Sequence, residues 1–133
     1  MIVGIGTDFI QVPRIAKVLE RFPERFAKRI LAAEEYVEYS ACLDRAVFLA
    51  KRFAIKEAAA KALGYGIRDG IQFIDFRVKH TEKGQPQLIL TGRALEIATQ
   101  QHICGFHVSV TDDKPYVLAF VVLESYIASS IKP

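Results

Sequence analysis

Arg52-Phe53-Ala54-Ile55-Lys56-Glu57-Ala58-Ala59-Ala60-Lys61-Ala62-Leu63-Gly64 is the stretch on which the fold turns. It is alanine-rich, free of proline and closed by a glycine, so it predicts a helix with a glycine stop. At about 100° per residue, Glu57 and Lys61 lie one turn apart on one face, flanked by Phe53 and Ala54. Apolar residues fill most of the remaining circumference, so much of this helix is expected to be buried. A carboxylate and an amine on a mostly buried helix are candidates for chemistry, because burial and a charged neighbour shift pKa. Glu followed by Lys at i+4 is also the commonest stabilising helix pair, worth a few tenths of a kcal/mol. Taken by itself, the helix reads first as a plain salt bridge.

The chain opens Met1-Ile2-Val3-Gly4-Ile5-Gly6-Thr7-Asp8-Phe9-Ile10, an apolar, partly β-branched strand that ends at an acid. The Gly-x-Gly is no dinucleotide fingerprint: a third glycine is missing and the motif comes too early. Asp8 alone reads as the cap of a helix beginning near Val12-Pro13.

Further along, Ile15, Val18, Leu19, Phe22, Phe26, Ile30 and Leu31 recur at helical spacing, and Pro23 is expected to split residues 13–31 into two helices. Residues 33–41 read as a short helix and 44–63 as the long central one. A glycine-rich loop follows over 64–70. The period then changes to alternation over 73–79, and Gln87-Leu88-Ile89-Leu90 returns after the turn Glu82-Lys83-Gly84-Gln85-Pro86. Thr91 is placed to cap a helix over 92–101, and 106–110 with 116–123 form a second hairpin. Helices first and hairpins after make an α+β pattern, with an antiparallel sheet of about five strands, Met1 to Asp8 included, packed on the long central helix. Residues 1–124 are expected to form a single domain and 125–133 a loose tail.

The chain has 133 residues, 51% of them hydrophobic and 25% charged, which suits a single globular domain with a real core. It lacks an apolar run of about eighteen residues and a basic region ahead of an apolar core, so neither a membrane helix nor a secretory signal is expected. Cys42 and Cys104 cannot build a disulfide framework, and the default is a cytoplasmic protein with reduced thiols. Three histidines without close spacing do not suggest zinc. A net charge of +3 suits an anionic partner.

Gly4-Ile5-Gly6-Thr7-Asp8-Phe9-Ile10 followed by Arg14, with Arg52-Phe53-Ala54-x-Lys56-Glu57-Ala58-x-x-Lys61-Ala62-Leu63-Gly64 about forty residues later, resembles holo-acyl-carrier-protein synthase, of the 4′-phosphopantetheinyl transferases. The likeness runs from Met1 to about Glu124. It implies the same α+β fold in a homotrimer with active sites between subunits. It also implies an enzyme that moves 4′-phosphopantetheine from coenzyme A to a serine of apo-acyl-carrier protein, releasing 3′,5′-ADP, in fatty acid biosynthesis. Asp8 and Glu57 are then the family's Mg²⁺ ligands, a role that suits a hard cation taking one or two carboxylates, substrate oxygens and waters. Lys61 stands near the reacting centre as base or phosphate contact. Glu57 or a metal-bound water could take the serine proton instead.

The remaining positive residues have their own places in the resemblance. Arg52 lies on the opposite side of its helix from Glu57, so it is expected either to face a neighbouring subunit's coenzyme A or to pair with surface acids. Lys83, Gly84 and Pro86 match a family turn at coenzyme A, with Gln85 where the family has lysine. His107 and Ser109 match the start of a His-x-Ser stretch, whose second histidine is here Asp112. Arg14 is the motif arginine that meets the acidic carrier, and Arg21, Arg25, Lys28 and Arg29 extend a basic helix. His80 and His102 are expected at the surface. Two other readings stand beside this one: a transferase for a polyketide or peptide synthase carrier, and a non-catalytic basic binding module. The mild charge and missing nucleic-acid motif argue against the latter.

Overall fold

The computed structural model describes residues 1–126. In chain order these are β1 (Ile2–Gln11), α1 (Val12–Arg21), α2 (Arg25–Ile30), α3 (Ala33–Ser40), α4 (Arg45–Ala62), a 3-10 turn (Phe73–Asp75), β2 (Phe76–His80), β3 (Pro86–Leu90), α5 (Gly92–Gln100), β4 (Ile103–Asp113) and β5 (Tyr116–Ser125). The expected tail over 125–133 falls mostly outside the described residues, and Ser125 itself ends β5.

Local sequence explains the punctuation. Asp44 starts α4, its Oδ1 accepting the Val47 N–H at 3.2 Å. Gly64 stops it at φ 93°, a left-handed conformation that glycine adopts without a Cβ penalty. Pro23 falls in the break between α1 and α2. Two capping expectations are corrected. β1 runs through Asp8 to Gln11, so Asp8 does not cap α1; Pro13 opens that helix, and the Val12 N–H donates to the Pro115 carbonyl at 2.7 Å. Thr91 makes no side-chain cap on α5. Asp75 does this work, its Oδ2 accepting the Ala94 N–H at 3.4 Å.

The strands form antiparallel sheets, but not one sheet of about five. β1, β5 and β4 make a three-stranded sheet in the order β1-β5-β4, and β2 pairs with β3 as a separate hairpin. On β2 a side chain takes the place of a further strand: the Val78 N–H donates to Glu35 Oε2 at 3.2 Å.

α4 packs against β1 and β5. Ala54, Ala58 and Ala59 meet a wall of Val117, Ala119, Val121 and Leu123, all 1% exposed or less. Along β1 the inward positions are Gly4, Gly6, Asp8 and Ile10, while Ile5, Thr7, Phe9 and Gln11 face outward. A Cβ at Gly6 would overlap the Ala58 carbonyl oxygen and stand 2.9 Å from the Ala62 amide nitrogen, so β1 lies backbone to backbone against α4.

The other side of α4 carries a buried ionic network. Glu35 is fully buried and accepts four hydrogen bonds: Ala32 N–H at 2.9 Å and Lys56 Nζ at 2.6 Å on Oε1, and Arg52 Nη1 at 3.0 Å and Val78 N–H at 3.2 Å on Oε2. Lys56, also fully buried, donates to the Ile30 carbonyl at 2.7 Å. Burial pulls the Lys56 amine below the ordinary lysine range, against the charge and hydrogen bond of Glu35. The network thus ties α2, α3, α4 and β2 into one frame.

Candidate functional site

One stripe of α4 escapes burial in its second half: Phe53, Glu57 and Lys61, at i, i+4 and i+8. Phe53 and Glu57 face a cleft of about 360 Å³, whose other wall is β1 and α1. Asp8 and Arg14 reach this cleft beside Glu57, and Ile15, Val18, Phe26 and Phe53 give it apolar sides. Residues far apart in sequence are joined here because β1 lies directly on α4.

The pair expected within α4 does not form. Lys61 bonds to β1 instead, its Nζ donating to Asp8 Oδ1 and to the Thr7 carbonyl, both at 3.1 Å. The side chain of Lys61 is half exposed and that of Asp8 15% exposed. The second oxygen, Asp8 Oδ2, is buried and has no hydrogen-bond partner among the described residues. Glu57 makes no hydrogen bond or ion pair among the described residues. Its carboxyl is pushed above the ordinary glutamate range, first by burial and then by the Asp8 charge, with Lys61 partly offsetting both.

These facts describe a place short of positive charge. An orphaned carboxylate oxygen and a neighbouring carboxyl resisting ionisation both improve if a cation stands between them. Among the described residues no group of three or more His, Cys, Asp or Glu side chains could hold a metal. Two carboxylates fit a hard divalent cation that keeps several waters and takes oxygens from an anionic substrate. They do not fit a zinc site, which needs three or four protein ligands.

The other sequence-derived residues fall into three places. Arg14, Arg21, Arg25, Lys28 and Arg29 are exposed along α1 and α2. Arg14, Arg21 and Arg25 make no ion pair among the described residues, and the last two stack over Phe22. Lys28 lies 3.9 Å from Glu24. His107 and Ser109 sit on the outer face of the three-stranded sheet, in rows with Ile5 and Val122 and with Thr7 and Phe120. His107 Nε2 lies 2.9 Å from Glu124 Oε1, which holds the Glu124 carboxyl below its ordinary value. Lys83 and Gly84 are exposed in the β2–β3 turn, Gly84 at φ 84°, and Pro86 opens β3. Gln85 is exposed, and Asp112 pairs with Lys51 at 3.1 Å. His80 and His102 are exposed.

Arg52 is different. Its guanidinium is 4% exposed, bound by Glu35 and Glu38 at 3.0 Å each and stacked over Phe48. Of the two fates considered for it, pairing with acids is the one found, although the principal partner is buried rather than at the surface. Two of its five N–H donors are spent on that frame.

Sequence reading missed Glu35, because nothing local distinguishes it from the exposed Glu34 beside it. It also missed the strand glycines, although a Gly-x-Gly at strand period, two residues before an acid, was the available signal.

The 4′-phosphopantetheinyl transferase superfamily model matches residues 4–121. The chain is 48% identical over 124 residues to a holo-[acyl-carrier-protein] synthase of Vibrio cholerae, covering 93% of this chain and 98% of that one. The fold is similar to the crystal structure of holo-[acyl-carrier-protein] synthase from Neisseria meningitidis, with a TM-score of 0.88, 41% identity, and coverage of 94% and 100%. It is similar also to a holo-(acyl-carrier-protein) synthase from Bacillus anthracis in complex with CoA (3′,5′-ADP), with a TM-score of 0.79, 36% identity, and coverage of 94% and 98%. A model match over most of the chain, relatives near half identity and a cleft holding both motifs together place this chain in the 4′-phosphopantetheinyl transferase superfamily.

Proposed function

We propose that this protein transfers 4′-phosphopantetheine from coenzyme A to a serine of apo-acyl-carrier protein, giving the holo-carrier and 3′,5′-ADP for fatty acid biosynthesis. The observation that carries this reading is the buried, partnerless Asp8 Oδ2 beside the unpaired Glu57 in one cleft with Arg14. It is supported by the names of the relatives and by the CoA complex of a similar structure.

The geometry supports a role for each residue. Asp8 and Glu57 would hold Mg²⁺, which when bound supplies positive charge against the diphosphate and the departing 3′,5′-ADP. Lys61 has three N–H donors and spends two on Asp8 and Thr7, leaving one for a phosphate oxygen at the cleft edge. That favours a charge-bearing role for Lys61. Glu57 is the cleft carboxylate without a hydrogen-bonded donor, and so the group of this chain best placed to take the serine proton. Arg14 stands at the cleft, and Arg21 on α1 with Arg25 and Lys28 on α2 add exposed positive charge, where an acidic carrier would bring its serine to the site.

The outer face of the three-stranded sheet supports assembly. Ile5 is 62%, Phe9 61%, Leu118 41% and Phe120 43% exposed there, a contiguous apolar surface of the kind that marks an interface. A homotrimer, as the family resemblance implies, would cover it and bring His107 and Ser109 toward a neighbour. Lys83, Gly84 and Pro86 are the remaining coenzyme A candidates, Lys83 being exposed and without an ion pair among the described residues. A cytoplasmic location goes with this reading: both cysteines are free thiols and no described helix is long and apolar enough to cross a membrane.

The test is mass spectrometry of an apo-carrier protein incubated with this protein, coenzyme A and Mg²⁺. A gain of about the mass of phosphopantetheine on the carrier is expected, and its absence would refute the assignment. The same measurement on a peptide or polyketide synthase carrier domain ranks the carriers.

A further inference from the structure

We propose that Gly4 and Gly6 are positioning residues for the Asp8–Glu57 pair: the backbone contact they allow between β1 and α4 sets the separation of the two carboxylates, and with it how well they share a divalent cation. The inference rests on the cation reading given above and names what enforces its geometry.

Gly4, Gly6 and Asp8 are successive residues on the inward face of β1. Gly4 meets the Ala62 carbonyl, Gly6 meets the backbone of Ala58 and Ala62, and Lys61 of the same helical turn bonds to Asp8 and Thr7. A Cβ at Gly6 would overlap the Ala58 oxygen, and one at Gly4 would overlap the Ala62 oxygen and stand 3.1 Å from its carbonyl carbon. These obstacles are helix backbone, which no rotamer change can move aside. Neither glycine has a positive φ, so space, not conformational freedom, requires glycine here.

Which side gives way is also settled by the packing. α4 is held from behind by the Glu35 network with Lys56 and Arg52. Among the described residues β1 is an edge strand, paired only with β5, Gly6 opposite Val121 and Asp8 opposite Ala119. Added bulk at position 6 therefore drives β1 away from α4 and carries Asp8 with it, by on the order of 1 Å, a displacement large enough to cost a site about a hundredfold. Asp8 Oδ2 is buried and has no hydrogen-bond partner among the described residues to fix that second oxygen.

The experiment titrates Mn²⁺, as the probe of the site, into wild type, Gly6→Ala, Gly4→Ala and Asp8→Ala, each monitored for folding by circular dichroism. Ile97→Ala, a cavity in α5, is the control for general destabilisation. Mn²⁺ affinity is expected to fall at least tenfold in Gly6→Ala and to hold in Ile97→Ala. Asp8→Glu should weaken Mn²⁺ binding in wild type yet strengthen it in the Gly6→Ala background, because one added methylene spans the retreat of the strand. Unchanged affinity in Gly6→Ala, an equal loss in Ile97→Ala, or no gain from Asp8→Glu overturns the proposal. Failure of both alanine variants to fold overturns it too, since the glycines would then determine the fold rather than the spacing. If Asp8→Ala itself leaves Mn²⁺ binding intact, the cation reading fails; if Asp8→Ala abolishes binding while Gly6→Ala retains it, only the positioning role fails.

Discussion

Glu35→Gln is expected to cost this protein about 3–5 kcal/mol, although residue 35 lies outside the cleft. The carboxylate is fully buried and accepts from Ala32, Lys56, Arg52 and Val78. A glutamine of the same shape keeps one acceptor oxygen and turns an NH₂ toward two of those donors. Among the described residues Lys56, already below the ordinary lysine range through burial, loses its one carboxylate partner, and Arg52 keeps the half-exposed Glu38 alone. Breaking a buried pair while its partner stays charged is the expensive case, unlike replacing the whole pair. For a domain of this size the loss amounts to a melting temperature lower by roughly 10–20 °C. Urea unfolding followed by circular dichroism measures it, and Lys56→Met supplies the second arm. The double variant should cost less than the two single changes added together, because the methionine removes the charge that the glutamine strands. Turnover per folded molecule should change far less than stability, since the network lies on the side of α4 away from Glu57. A cost under about 1 kcal/mol would put the network on the footing of a surface pair and refute the reasoning.

Lys61→Met should lower turnover about a hundredfold at saturating Mg²⁺ and carrier, the scale of a lost electrostatic group; substantial rescue by Lys61→Arg marks charge rather than proton transfer, and near-wild-type turnover in the methionine variant ends the claim. Arg14→Glu should weaken carrier binding more than coenzyme A binding, and wild-type association should slow with added salt; an unchanged affinity for the carrier leaves Arg14 as surface charge only. For Glu57, folding raises the carboxyl above its reference value of 4.5, so the folded state holds the proton longer than the unfolded one. Metal-free stability is then full below that reference and falls as pH rises through the raised value. Glu57→Gln should remove this fall, making the metal-free variant more stable than wild type at neutral pH and equal to it near pH 4, while transfer is lost. Parallel pH–stability curves for the two proteins would contradict the origin given for the shift.

What could be read from the chain was what a single periodicity encodes. The break at Pro23, the start of α4 near Asp44 and its stop at Gly64 each follow from one residue's local chemistry, and each is found where the sequence puts it. The two motifs place Asp8 and Glu57 on a strand and a helix, and their meeting in one cleft is what the paired motifs imply. The failures share a different cause. Thr91 is a good cap by type, yet Asp75 caps α5 from a preceding turn, and Val78 bonds to a glutamate where another strand was expected. Each depends on a partner about 15 to 45 residues away, which no local pattern announces. Lys56 and Glu57 make the point within one dipeptide. A turn of about 100° sends Lys56 into the Glu35 network and Glu57 into the cleft, so adjacent charges go to the frame and to the cleft separately. The frame holds α4 from behind while the glycines let β1 press on it from the front. Asp8 and Glu57 thus line one cleft before any cation arrives, and the Glu57 carboxyl is raised there first by its burial and then by the Asp8 charge.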